Sequence, residues 1–527
     1  MNKLTLDETL YFGFFILLSV AKGFGLYEGQ ALFILIVGLA LLCGGLKILL
    51  SSYTKRQWAA LAVLLFLTGL VYVRSLELGI FFVMFMILGM KNVSLQKVFR
   101  LGLWVWSICA VIICLISFPN LEHTIYRVAQ KLGMGYIFRW SLGFTHPNIL
   151  HITYLTLCAL ILYELGDRFN LKHFAILMGG NVLVFLYSIS FTGLAIVTIL
   201  LFGSMYVKIR PRFCLLEKMA ANLILPAIIL ISFILPLLFA DVRFTQSLEK
   251  INKLVNTRIR IASSFLVPEC MSLFGVKMSY LAQTHSYLSI DSSYVWAFIH
   301  YGIVPFILFM LAYLLLIADC TRKQKTRELV LIICFLGAGY MEPLLFNTSF
   351  KNITLLFLGD LLFRQKDVEE EYCLLPGVRE KLEILVLKIN EKMTKVSIFE
   401  WDLPALFTKL RKYYRKKILA AVAACMLVGV VCCAMLYKAP DGYVVPRRYT
   451  DWKDKTSVYL ESADDPAYDG YRIMNYQDTE TPMQVMEGNG AIRLETVRYY
   501  VGSLLIGGLF GFLIGTGTVI LTDKERL

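Results

Sequence analysis

MAANLILPAIILISFILPLLFADVRFTQSLEK, residues 219–250, decides the fold. Its first 22 residues, Met219 to Ala240, carry no charged side chain, and Asp241 then opens a polar stretch that runs to Asp291. About 20 apolar residues in helix cross a hydrocarbon core of roughly 30 Å, so the first part reads as a membrane span and the second as a long connection. Working outward, comparable runs start near Tyr11, Ala31, Trp58, Leu78, Leu101, Pro147, Phe174 and Phe191, and again near Tyr294, Glu328, Lys351, Ile418 and Tyr499. With the run at Met219 they make fourteen, of which the fourth and twelfth are short. The runs are continuous rather than two-periodic, which excludes a barrel of alternating strands. With 58% hydrophobic and 17% charged residues the chain is not a soluble globular domain. The expected fold is an all-α polytopic membrane protein, with a core of about twelve helices, a long loop before the tenth, and a C-terminal two-helix extension.

Lysine and arginine avoid translocated loops, so their distribution orients the chain. With the N-terminus inside, 31 of the 52 fall in inner segments and 19 in outer ones; Lys22 and Lys47 lie within helices. The net charge of +14 then reflects topology and attraction to anionic lipid heads, and nucleic acid is not an expected partner. Of twelve cysteines only Cys270 falls in an outer loop, which leaves no disulfide framework. Tyr11 to Phe24 lacks a clean cleavage site and follows Asp7 and Glu8, so it reads as a retained helix. No repeat of fixed period marks a transporter. Three regions are expected: 1–365 as the membrane-embedded core, 366–417 as a cytoplasmic connector, and 418–527 as two helices around an outer segment, 438–498. In the connector, Leu382, Leu385, Val386, Ile389 and Met393 recur at helical spacing, as do Trp401, Leu406, Phe407, Leu410 and Tyr414. That is the pattern of a helix lying on a membrane.

The candidates for chemistry cluster beside the long connection, because ionisable groups at the ends of membrane helices usually serve a ligand or a reaction. Arg139, His146 and Asn148 precede or open the sixth helix. Arg139 there is either an anion contact or an interfacial arginine beside Trp140. Arg258 and Arg260 flank Ile259, and their guanidinium forks suit phosphate oxygens. On one helix residues i and i+2 diverge, so only one of the pair faces a given ligand; the alternative is a solvated loop face. His285 lies in the same loop. Asp291, just before Tyr294, reads either as a helix N-cap or as a carboxylate placed to orient a hydroxyl. No cysteine, histidine or Asp-x-Asp spacing marks a metal site, and no cofactor is expected.

Three pieces of sequence resemble, in order and spacing, the O-antigen and capsule repeat-unit polymerases and their lipopolysaccharide ligase relatives. They are Arg139 to Asn148, reading RWSLGFTHPN; Val255 to Ile259, reading VNTRI and followed by Ser272-Leu273-Phe274-Gly275; and Asp291-Ser292-Ser293-Tyr294 with Tyr301-Gly302-Ile303. The resemblance covers roughly the first 365 residues. It implies a metal-independent, inverting glycosyltransferase of the bacterial cytoplasmic membrane that uses a polyprenyl-pyrophosphate-linked oligosaccharide as donor. Under it, Arg258, Arg139 and Asp291 are the expected catalytic residues. Arg260, His146, Asn148, Tyr294 and His285 are the expected substrate contacts. Membrane lipids, a flippase and a chain-length regulator are the implied partners. Asp291-Ser292 stands where the ligases usually show His-Asn, which favours polymerase over ligase. Phe191 replaces the arginine of a Ser-Arg-Thr motif, so that cationic contact is missing or supplied elsewhere. A ligase, a lipid-linked oligosaccharide flippase and a non-catalytic scaffold are the competing expectations.

Overall fold

The computed structural model describes residues 4–27, 29–117, 125–130, 136–277, 289–364, 370–392, 416–436, 444–446, 483–485 and 489–522. The chain opens with α1 (Leu6–Gly23), α2 (Ala31–Leu50), α3 (Lys55–Ser75), α4 (Gly79–Leu88) and α5 (Leu95–Ser117). A hairpin of β1 (Ile125–Gln130) and β2 (Tyr136–Trp140) follows, then α6 (Pro147–Leu165), α7 (Leu171–Ser188), α8 (Phe191–Ile209) and α9 (Leu215–Ala240). Next come α10 (Val242–Leu254), α11 (Arg258–Phe265), α12 (Ser293–His300), α13 (Ile303–Lys323), α14 (Thr326–Met341) and α15 (Leu355–Phe363). The chain ends with α16 (Pro376–Lys392), α17 (Lys416–Leu436), the strands β3 (Val444–Pro446) and β4 (Met483–Val485), and α18 (Asn489–Thr522).

This is an all-α polytopic membrane protein, with two short two-stranded sheets among the described residues. Nine described helices are long and apolar enough to cross a membrane. The other five of the fourteen expected spans fall short for visible reasons. Helices α4 and α15 have 10 and 9 residues, α14 has 16, α1 carries Asp7, Glu8 and Lys22, and the apolar part of α17 runs only from Leu419 to Met435.

The chain divides into two compact units. The first holds Met1–Ile113, Asn148–Phe185 and Ser190–Phe399. Its helix starts are written in the sequence: Thr5 accepts from the Glu8 amide at 3.1 Å and Thr54 from the Gln57 amide at 3.3 Å, each in a reciprocal capping box. The connector helix α16 rests on α1 and α2. Arg379 donates to the Leu50 carbonyl at 2.6 Å and pairs with Asp7 at 3.2 Å, where Asp7 also takes the buried Lys47 at 2.8 Å. Val386 is buried while Leu385 stays exposed. The second expected amphipathic stretch, Trp401 to Tyr414, lies outside the described residues.

The polar connection after α9 is not a plain loop, since it forms α10 and α11 before Pro268. The tenth expected span breaks at Gly302, whose φ of +88° is open to glycine and strained for other residues. The break is held by Ser272 to Gly275. The amides of Ile303 and Val304, orphaned at the start of α13, donate to the Ser272 and Leu273 carbonyls at 2.9 and 3.2 Å, and Val276 donates to the Ile299 carbonyl at 3.1 Å. Gly302 packs directly on the 273–275 backbone, where a Cβ has no room. Two of the resembling pieces, 272–275 and 301–303, are thus one structural joint.

The second unit holds Cys114–Pro147, Leu186–Ile189 and Glu400–Leu527. In it α17 and α18 pack closely, with Gly507 and Gly511 of α18 against Gly429 and Cys425 of α17. Small residues let membrane helices approach to backbone contact, which is where their association energy comes from.

Candidate functional site

Helix α11 begins at Arg258 because the chain turns through two left-handed residues, Asn256 (φ 56°) and Thr257 (φ 62°), just before it. That entry aims the Arg258 side chain inward and leaves it 13% exposed, while Arg260 faces out. The pair diverges as i, i+2 spacing requires.

The guanidinium of Arg258 lies between two carboxylates. Its Nη2 donates to Glu342 Oε1 at 3.0 Å, and its Nε forms an ion pair with Asp291 Oδ2 at 3.3 Å without the alignment of a hydrogen bond. Asn148 Nδ2 donates to the same Glu342 oxygen at 2.8 Å. Glu342 is anchored through its backbone as well: its carbonyl accepts from Ser293 Oγ at 2.6 Å, and that hydroxyl in turn accepts from the Leu345 amide at 3.1 Å. Four elements therefore meet here, namely the start of α6, the start of α11, the start of α12 and the segment that follows α14.

The two carboxylates differ in access. Glu342's side chain is 12% exposed and held by two donors, whereas Asp291's is 28% exposed. Asp291 does not cap α12. The N-cap position is Ser292, which makes no side-chain cap bond, and its buried hydroxyl has no hydrogen-bond partner among the described residues. The Arg258 guanidinium is thus engaged by side-chain carboxylates on both sides.

Other expected site residues have different surroundings. Tyr294 is fully buried, and its hydroxyl donates to the Leu336 carbonyl at 2.8 Å, which ties α12 to α14 and leaves the ring no open face for a substrate. Arg139 belongs to the second unit. It is 5% exposed and its Nε donates to the Ser188 carbonyl, the last of α7, at 2.8 Å. Arg498 does the same beside it, donating to the Leu186 carbonyl at 2.7 Å and the Tyr187 carbonyl at 3.3 Å, while Tyr187 donates back to Arg498 O at 2.9 Å. Two arginines on the closing carbonyls of one helix satisfy orphan acceptors and the negative end of its dipole. Arg139 thus closes the end of α7 through at least this one contact. His146 is half-buried in the same unit, and His285 lies outside the described residues.

Sequence reasoning missed Glu342. Its signal was an ionisable residue directly after an apolar run and before Pro343, a position that reads as a helix end. Among the described residues no group of three His, Cys, Asp or Glu side chains is placed to hold a metal ion. Comparisons with protein-family models, curated proteins and solved structures return no match for this chain.

Proposed function

We propose that the Arg258, Glu342 and Asp291 cluster is the reaction centre of a membrane-embedded glycosyltransferase. On this reading the protein is a polymerase of the bacterial cytoplasmic membrane that joins lipid-linked oligosaccharide repeat units into a surface polysaccharide. The observation that supports it most is Asp291, a partly exposed carboxylate held beside the half-buried Arg258 and Asn148 and the buried Glu342 at the ends of membrane helices. A carboxylate in that setting is placed to accept a proton from a sugar hydroxyl.

In the proposed step the acceptor hydroxyl gives its proton to Asp291 and its oxygen bonds to the anomeric carbon of the donor. The carbon–oxygen bond to pyrophosphate breaks from the opposite face, its electron pair leaves with the polyprenyl pyrophosphate, and the anomeric centre inverts. Arg258 orients Asp291, and Glu342 with Asn148 fixes Arg258. A flippase and a chain-length regulator remain the proposed partners.

The test is the purified protein in liposomes with lipid-linked repeat units and a gel ladder as readout. Asp291→Asn is expected to lose the ladder by roughly 100- to 10,000-fold in rate, the range for general-base loss, at normal protein level and fold. Activity is expected to persist in chelator. A normal ladder from Asp291→Asn overturns the assignment, and lipid-linked units that cross the bilayer without gaining a glycosidic bond favour the flippase instead.

A further inference from the structure

Four helix ends of the first unit line a cavity of about 250 Å³ that shares no residue with the Arg258 cluster. Gln96 lies at the start of α5, Tyr163 near the end of α6, Lys208 near the end of α8, and Arg327 and Glu328 in the first turn of α14. Helices α5, α6 and α8 are long and apolar enough to cross a membrane, so a cavity at their shared ends lies at the level of lipid head groups. The lysine and arginine distribution assigns that level to the inner side. Asn148 and Glu342 stand at the opposite ends of α6 and α14, roughly 20 Å away at 1.5 Å per residue.

The cavity has walls of two kinds. Leu162, Phe169 and Leu331 are buried and give it an apolar side. Lys208, Arg327 and Glu328 give it charges of both signs on exposed or half-buried side chains. The two cations are only partly used: Lys208 donates to the Asp167 carbonyl, and Arg327 pairs with the Asp167 carboxylate. An ammonium carries three donors and a guanidinium five, so two remain on Lys208 and four on Arg327 among the described residues. Asp167 is itself 87% exposed, and a surface partner of that kind holds weakly. Gly166 leaves the guanidinium its space, since its φ is +50° and a Cβ there would stand 3.3 Å from Arg327 Nη1. Glu328 makes no ion pair among the described residues.

A carboxylate without a partner beside two cations with spare donors is a place for a ligand that carries both charges. The volume lies just below the roughly 300 Å³ at which small-ligand pockets begin, which fits a head group rather than a whole lipid. Basic pockets between membrane helices at the inner face are where lipid head groups bind, and the apolar side gives the glycerol and the first tail carbons a surface. We infer that the pocket holds the head group of an aminophospholipid, with its phosphate on Lys208 and Arg327 and its primary ammonium on Glu328. Phosphatidylglycerol offers the same phosphate without the cation, and Glu328 repels it.

Calorimetry on the purified full-length protein in detergent tests this. The probes are dihexanoyl phosphatidylethanolamine, dihexanoyl phosphatidylglycerol and free phosphoethanolamine. The parent is expected to bind the ethanolamine lipid about 10-fold more tightly than the glycerol lipid, the size of one charge-assisted hydrogen bond. Lys208→Gln and Arg327→Gln are each expected to weaken both lipids by about 10-fold. Glu328→Gln is expected to weaken the ethanolamine lipid by about 10-fold and to leave the glycerol lipid equal or tighter, so that the preference disappears. Misfolding would weaken both lipids alike, which makes the preference its own folding check. The exposed Arg212→Gln, just beyond the end of α8, is expected to change neither. Equal affinity for the two lipids in the parent, an unchanged preference in Glu328→Gln, or unchanged affinity in Lys208→Gln and Arg327→Gln overturns the site. Phosphoethanolamine bound as tightly as the lipid overturns the membrane as the ligand's source. Binding is read without glycan transfer, so neither result depends on the function proposed above.

Discussion

Arg258 and Arg139 are both arginines beside the ends of membrane helices, yet their guanidinium groups meet opposite kinds of acceptor. Arg258, in the first unit, meets the side chains of Glu342 and Asp291. Arg139, in the second, meets the backbone carbonyl of Ser188, and Arg498 meets those of Leu186 and Tyr187. A carbonyl at a helix end cannot titrate, move or take a proton, so the Arg139 pair is a clamp. A carboxylate can do all three, so the Arg258 cluster has chemistry to offer. The partner, not the arginine, separates the two roles.

The comparison sharpens first on stability. Removing one partner of a buried ion pair leaves the other charge stranded, at roughly 3–5 kcal/mol. Arg258→Ala and Glu342→Ala are each expected to lower stability by about that much, as read by chemical unfolding in detergent. The joint change Arg258→Met with Glu342→Met is expected to cost clearly less than the two alanine changes added together, because neither charge is then left alone. Additive losses break the pairing. Arg258→Lys keeps the charge but loses the planar fork that spans both carboxylates, so it is expected to retain fold and lose turnover.

Backbone capping is the milder case. Arg139→Ala and Arg498→Ala each leave carbonyl acceptors unsatisfied, at about 1–3 kcal/mol. Turnover per folded molecule is expected to stay at the parent level in both. A loss of turnover in Arg139→Ala at unchanged melting temperature places that residue on substrate and breaks the contrast.

How much of this was legible in the sequence follows from what each residue's role depends on. Apolar run length and charge bias are local properties, so the membrane class and the shortness of α4 and α15 were readable from them. The break at Gly302 was not readable, because a lone glycine in an apolar run looks like any membrane-helix glycine. Only its contact with Ser272 to Gly275 shows that the helix must stop. The divergence of Arg258 from Arg260 followed from helical geometry once α11 formed. Glu342 was hidden because it sits where the chain leaves a helix, and sequence cannot tell a buried charge there from a solvated one. Tyr294 failed in reverse, since a motif position beside Asp291 proved to be a core residue with a satisfied hydroxyl.

The smallest expected effect belongs to Arg260. It shares α11 with Arg258, is two positions along, and faces outward, while its backbone amide donates to the buried Asn252 at 3.1 Å. The donor is the main-chain N–H of Arg260 and the acceptor is Asn252 Oδ1, so the bond survives truncation of the Arg260 side chain. Arg260→Ala is therefore expected to alter stability by no more than about 0.5 kcal/mol, the range for surface positions without special contacts. The same variant separates contact from field. Were the site to work through a diffuse basic surface, removing either arginine of α11 would weaken the ladder alike, and added salt would weaken it further by screening. If the buried cluster does the work, Arg260→Ala gives a normal ladder with ordinary salt sensitivity, while Arg258→Lys does not. Ladders of equal strength from the two variants, at equal protein level and across a salt series, remove the distinction between the inward and the outward arginine.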